Sequence, residues 1–165
     1  MCRSRQTLGA MSIDGPVSGA SHDVERILRS LPGWFGIESS LLEYVNDADV
    51  FPTFVATVGS QVAAFVTVRE HFPQAWEVHC IAVHAESRNR GLGRALLRHV
   101  ELWLARRGVL FLQVKTMAAA SPSPEYAQTR AFYKAVGYVP LEEFPLLWGP
   151  ELPVLQLVKA VKNGA

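Results

Sequence analysis

The sequence predicts an α/β fold, a single domain built on a mixed β-sheet flanked by helices. Three observations carry that expectation: a hairpin pattern of β-branched residues in the first half, a strand, helix, strand unit in the middle, and a late helix followed by closing strands. At 165 residues the chain has the size of one ordinary domain, able to bury roughly two thirds of its unfolded surface. Its hydrophobic fraction of 49% and charged fraction of 19% match a packed chain and are too apolar for a disordered one.

Residues 1–20, rich in Ser and Gly, read as a flexible leader, and Met11 offers an alternative start that leaves the domain intact; residues 21–165 form the domain. Val24, Ile27, Leu28 and Leu31 fall at helical spacing behind Ser21, which is placed to cap the first amides, and Pro32 with Gly33 ends the pattern. After the aromatic loop Trp34 to Ile37, Ser40 with Glu43 has capping-box spacing over a second helix carrying Leu41, Leu42, Tyr44 and Val45. Two helices are therefore expected before any strand.

Thr53 to Val58 and Gln61 to Arg69 are β-rich runs separated by Gly59 and Ser60, the connection of a tight antiparallel hairpin. Trp76 to Val83 is a third run, followed by a polar segment and a long helix from Gly91 to Arg107, whose apolar stripe includes Leu92, Leu96, Val100 and Leu104. Arg106 and Arg107 suit the negative helix end, and Gly108 stops it. Val109 to Thr116 then makes a strand parallel to Trp76 to Val83, so the sheet is mixed. A helix over Glu125 to Val136 and strands over Tyr138 to Leu141 and Val154 to Val161 complete the chain.

Sixteen Lys and Arg against fifteen Asp and Glu give no chain-wide attraction to nucleic acid or to an anionic membrane, so any anion site must be local. No apolar stretch approaches the ~18 residues of a membrane span, and cytoplasm is the expected compartment. Cys2 and Cys80 make neither a disulfide framework nor a metal spacing, and Cys80 reads as a buried hydrophobe facing away from His79. His71, His84 and His99 have no partners at ligand spacing and read as surface or helix-face residues, so no metal is expected.

The densest functional signal is Arg88, Asn89, Arg90, Gly91, Leu92, Gly93, Arg94, where a strand hands over to a helix. Glycines let phosphate oxygens approach main-chain N–H groups, the helix start adds unpaired donors, and three arginines add charge. A helix entry that merely tolerates glycine is the alternative. A Walker loop would need a Gly-Lys-Ser/Thr ending that is absent, and a dinucleotide fingerprint would need a small residue where Leu96 stands.

Arg88, two residues, Gly91, one residue, Gly93 resembles the acetyl-CoA motif of the GNAT superfamily of N-acetyltransferases. The likeness covers roughly residues 22–161 in element order and includes a late helix with Arg130, Ala131, Phe132, Tyr133, Lys134, Ala135, Val136, Gly137 and Tyr138. The strings Leu31 to Ile37 and Leu146 to Glu151 further resemble a bacterial subgroup. The resemblance implies the GNAT acyl-CoA N-acyltransferase fold and acetyl-CoA as cosubstrate. It places the pyrophosphate on the amides of Arg88, Asn89, Arg90, Gly91, Leu92, Gly93 and Arg94, and pairs Ile81, Ala82 and Val83 with the pantetheine arm. The two central strands should splay to form the cofactor slot, with the acceptor amine entering from the other side.

An ammonium acceptor must lose a proton before it attacks, so a carboxylate or imidazole near the thioester is expected. Glu77, which matches the position of the catalytic glutamate in histone-type members, and His79, on the same face by period-two alternation, are the candidates. An ordinary charged strand end and a satisfied strand histidine are their bland alternatives. By resemblance Tyr133 is the proton donor to the departing CoA thiolate, though tyrosines more often only pack. Trp34, Phe35, Tyr44 and Trp148 read as core or pocket wall, and Glu38, Glu43, Asp47 and Asp49 would attract a cationic acceptor. The acceptor, a small-molecule or peptide amine, is open at this level. So are a homodimer, a longer acyl group, and a non-catalytic CoA-binding module.

Overall fold

The computed structural model describes residues 10–162. In chain order these form β1 (Met11–Val17), α1 (Ser21–Arg29), α2 (Glu38–Val50), β2 (Thr53–Val58), β3 (Gln61–Phe72) and β4 (Ala75–Val83). A short 3-10 turn at Ala85–Ser87 leads to α3 (Leu92–Ala105), β5 (Phe111–Met117), α4 (Pro124–Ala135), β6 (Val139–Phe144) and β7 (Val154–Ala160). The seven strands make one mixed sheet in the order β1-β2-β3-β4-β5-β7-β6. Only β4 and β5 run parallel, because the α3 crossover joins them.

The sheet separates two apolar layers. On one face Leu92, Leu96, Leu97, Val100 and Leu104 of α3 pack with Val66, Val78, Leu112, Val114 and Leu157 of the sheet and with Tyr133 of α4. On the other, Val24, Ile27 and Leu28 of α1 and Leu41, Val45 and Ala48 of α2 cover Val55, Phe65, Cys80 and Ala82. Each helix contributes the stripe that its sequence spacing predicts.

Three local expectations are corrected. Residues 11–17, read as part of a mobile leader ahead of two helices, form the edge strand β1 antiparallel to β2. Its sequence carries no apolar run, because an edge strand is held by main-chain pairing and packs only Ile13 and Val17 inward. The leader reading for residues 1–9, and Cys2 with it, lies outside the described residues. Ser21 makes no capping bond, since Ala20 is the N-cap of α1. The Ser40–Glu43 capping box is absent because α2 starts earlier, with Ile37 as N-cap and Glu38 in the first turn. Glu38 suits that end of the helix dipole, and the Arg29 guanidinium clamps its two carboxylate oxygens at 3.0 and 2.8 Å, linking α1 to α2.

Leu96 is fully buried between α3 and the sheet. Leu96→Ala should cost about 3 kcal/mol and lower the melting temperature by roughly 6–12 °C, measured by circular dichroism.

Candidate active site

The period-two alternation of β4 breaks at His79. Thr67 of β3 pairs with Cys80 and Val68 with Val78, so His79 is an extra residue, a β-bulge. Val78 therefore faces the α3 layer while Cys80, two residues on, faces the α1–α2 layer. This corrects the expectation that His79 and Cys80 oppose each other: His79 meets Asp47, Tyr44 and Phe51 of the α2 segment, on the side of Cys80. Burial beside Asp47 pushes the Cys80 thiol well above its usual range, so it is no nucleophile.

Past the bulge β4 and β5 part. They pair from Ala75 with Phe111 to Val78 with Val114, and no further. Residues 79–83 of β4 thus have no strand partner on the β5 side, and a cleft of about 1070 Å³ opens there. Ile81, Ala82 and Val83 line it, as do Arg88, Asn89, Gly91, Leu92, Gly93, Arg94, His79 and Tyr133. Of the candidate residues, Arg90 and Glu77 do not line it.

At the loop end, the N–H groups of Gly91 through Arg94 make no hydrogen bond with a described residue; the next amide, that of Ala95, finds its acceptor on Gly91 O at 3.0 Å. Gly91 sits at φ +78°, a left-handed conformation that turns the chain into α3 and that side chains with a Cβ rarely adopt. Gly93 is closely packed for a different reason: a Cβ there would stand 3.2 Å from Phe132 Cζ, a tight contact between the start of α3 and α4. Asn89 is also left-handed, at φ 61°. Ser30 Oγ accepts from the Ala85 N–H at 3.1 Å and His84 Nδ1 from the Glu86 N–H at 3.3 Å, which hold the approach to the loop.

The loop between α1 and α2 straps across to α4. Trp34 Nε1–H donates to Thr129 Oγ1 at 3.0 Å and to Glu125 O at 3.2 Å, and the Tyr126 hydroxyl donates to Trp34 O at 3.0 Å. The Arg88 guanidinium lies over the Trp34 ring at 4.4 Å and donates to Gln128 Oε1 at 3.3 Å. Trp34 is thus pocket wall and strap together, a role that its position in sequence, some ninety residues from its partners, did not disclose.

The three candidate proton-transfer groups have different surroundings. His79 Nε2 bonds Asp47 Oδ2 at 2.7 Å, which leaves Nδ1 as the free ring nitrogen of a residue lining the cleft. Glu77, 9% exposed, is bound by His71 Nε2 at 2.5 Å and by Lys115 Nζ at 2.9 Å. Burial pushes its carboxyl up, but the hydrogen bonds and charges of His71 and Lys115 outweigh that and hold it below its usual range. His71 lies at the surface, as expected, and its ring reaches in to become, with Lys115, one of two partners of the buried Glu77 carboxylate. Tyr133 is 3% exposed, and burial pushes its hydroxyl well above the usual phenol range, so it carries its proton at neutral pH. Its hydroxyl makes no hydrogen bond with a described residue, yet no fully buried side-chain polar atom among the described residues lacks a partner. The oxygen must therefore reach the cleft.

His99 packs edge-on against Phe54. Among the described residues no group of three or more His, Cys, Asp or Glu is placed to hold a metal ion, and no helix is long and apolar enough to cross a membrane.

An unpaired amide run at a helix entry, beside two parting parallel strands, leaves room for one extended anionic ligand. Residues 49–140 match the family model of the acetyltransferase (GNAT) domain. That is more than half of the chain, which therefore belongs to the GNAT acetyltransferase family. A GNAT-family protein from Desulfovibrio desulfuricans superposes with a TM-score of 0.81 at 18% identity, covering 92% of this chain and 99% of its own. The ribosomal-protein-S18-alanine N-acetyltransferase of Escherichia coli gives 0.74 at 19% identity, over 94% of this chain and 97% of its own. An acetyltransferase-type protein of Salmonella typhimurium, with acetyl-CoA, gives 0.67 at 16% identity, over 95% and 97%. These likenesses establish the fold; no curated protein matches the chain at a significant level.

Glu77→Gln should destabilise the protein by about 1–3 kcal/mol at pH 7, because Lys115 and His71 lose a charged partner. A carboxyl whose folded pKa is depressed contributes stability above its unfolded value near 4.5, lost as pH falls through the folded value. The gap between wild type and variant in urea unfolding should therefore be widest near neutrality and close on acidification below about pH 4.

Proposed function

We propose that the protein is an N-acetyltransferase that takes the acetyl group of acetyl-CoA and delivers it to a primary amine by direct attack. The observation that carries this reading is the run of unpartnered N–H groups from Gly91 to Arg94 next to the open edge of β4. The amides of Arg88, Asn89, Arg90, Gly91, Leu92, Gly93 and Arg94 hold the pyrophosphate, helped by the positive end of α3. The free main-chain edge at Ile81, Ala82 and Val83 takes the pantetheine arm as a neighbouring strand would. Bound acetyl-CoA supplies an activated carbonyl; the protein's part is mostly alignment and proton management.

His79 is the better placed base. Asp47 accepts from Nε2–H, fixing the tautomer and stabilising the imidazolium that forms when Nδ1 takes the proton of the amine. Glu77, the alternative base, is committed to His71 and Lys115; its role is to hold the Lys115 side chain, which lines the cleft. As the new N–C bond forms and the C–S bond breaks, Tyr133 gives its hydroxyl proton to the departing sulfur. His79 takes the first proton, from the ammonium before attack, and passes it to water; the second, lost from nitrogen once the N–C bond has formed, returns to the Tyr133 oxygen, so one proton is released per turnover.

Isothermal titration should give one acetyl-CoA per chain for the wild type and an affinity reduced about 100-fold or more in Gly91→Glu and Gly93→Glu, equivalent to roughly 2.7 kcal/mol. His79→Gln and Tyr133→Phe should each lower turnover by about 100-fold with acetyl-CoA affinity nearly unchanged, read by CoA release with a thiol reagent. Wild-type turnover in either variant removes that residue's role. Acetyl-CoA binding without acetyl transfer to any amine would make the protein a CoA-binding module. Faster transfer from a longer acyl-CoA would change the donor.

A further inference from the structure

The end of the cleft away from the Arg88–Arg94 loop has its own chemistry. Phe35 and Tyr44 meet edge to face with centroids 6.0 Å apart, and Tyr44 meets the His79 ring at 5.4 Å, so aromatic rings lead from the α1–α2 loop to the bulge. Ile37 and Trp148 line the same cleft while remaining 56% and 41% exposed, an arrangement that leaves apolar surface open to something entering. Trp148 lies in the β6–β7 connection and so reaches the site from the β5 side of the splay, whereas Ile37 and Phe35 come from the α1–α2 side.

The charges at this end are of one sign. Asp47 is bound to His79, and Glu43, one residue before Tyr44 on α2, also lines the cleft. The basic residues that line the cleft are Arg88, Arg94 and Lys115. Arg88 and Arg94 belong to the loop end, where Arg88 is stacked on Trp34, and the Lys115 ammonium is bound to Glu77 at 2.9 Å. A carboxylate brought beside His79 would therefore meet two acidic groups, while Arg69, over the Phe51 ring that packs on His79, does not line the cleft. A second ammonium would have to sit against Phe35, Ile37 and Trp148, which offer no acceptor to replace its water.

We infer that the acceptor is a monocationic primary amine carrying an apolar, aromatic-compatible body and no neighbouring carboxylate. Its ammonium is drawn in by Glu43 and Asp47 and by the Tyr44 ring, and its body lies against Phe35, between the α1–α2 loop and Trp148. After binding, the nitrogen stands where His79 Nδ1 takes its proton. This inference rests on the acetyltransfer reading above. It goes beyond that reading in naming what the amine carries.

The test is a panel of acceptors at saturating acetyl-CoA, followed by CoA release and by mass spectrometry of the product. The panel holds phenethylamine, a C-terminally amidated Phe-Ala dipeptide, phenylalanine, spermidine and an aminosugar. The expected result is kcat/KM for phenethylamine or the amidated dipeptide at least about tenfold above the other three, equivalent to roughly 1.4 kcal/mol or more; which of the two is preferred tells a small amine from a polypeptide terminus. Glu43→Gln should raise KM for the preferred acceptor severalfold, with acetyl-CoA affinity unchanged. Preference for phenylalanine, spermidine or the aminosugar overturns the inference, and so does the absence of any acetylated amine in a protein that binds acetyl-CoA. Failure to bind acetyl-CoA at all would instead overturn the acetyl-CoA reading, and this inference with it.

Discussion

Where β4 passes His79 it loses its partner on the β5 side, and the functional geometry of the chain follows from that loss. Two parallel strands joined by a helix would ordinarily pair along their length, because an unpaired buried main-chain group costs about as much as a lost hydrogen bond. Here pairing ends at Val78 with Val114. The inserted residue twists the strand away, reverses which face its side chains point to, and leaves a row of main-chain donors and acceptors facing a cleft. That row and the unpaired amides at the start of α3 are separated only by the short turn at Ala85–Ser87, so one extended ligand can satisfy both.

The rest of the fold serves to keep that gap open without letting the sheet fail. Two apolar layers clamp the sheet on either side of it, and Tyr133 of α4 lines the space between the strands. The strap from Trp34 to Thr129 and Tyr126 crosses from the α1–α2 layer to α4. Because Arg88 stacks on that same Trp34, the glycine loop and the strap between the layers share a contact. Acidic groups at one end of the cleft and arginines at the other give it opposite electrostatic preferences, suited to a cationic nucleophile and an anionic donor.

How much of this was legible in the sequence depended on how local each signal was. The glycine loop, the amphipathic α3 and the hairpin were readable because turn chemistry and periodicity act over a few residues, and their observed bounds agree with expectation to within one to three residues. Strand β1 was missed because an edge strand needs little side-chain burial. The helix caps were misassigned because an ion pair between Arg29 and Glu38, not a Ser side chain, accompanies the start of α2. The bulge could not be read from alternation, since one extra residue leaves composition unchanged while inverting every later side chain. Asp47 with His79, and His71 and Lys115 with Glu77, are tertiary pairs; Asp47 and His79 are 32 positions apart. Three candidate proton-transfer groups were named from sequence, but only their partners distinguish a dyad open to the cleft from a buried ion pair.

The central claim is that the amides of the Arg88–Arg94 loop and the free edge of β4 grip one molecule together. Backbone amide NMR during titration with CoA tests it residue by residue. The account predicts the largest shifts at Arg88–Arg94 and at Ile81–Val83, saturating together at one CoA per chain, with the strand pairs of β1 and β2 unmoved. Shifts confined to other parts of the chain, or two sets saturating at different concentrations, would contradict it.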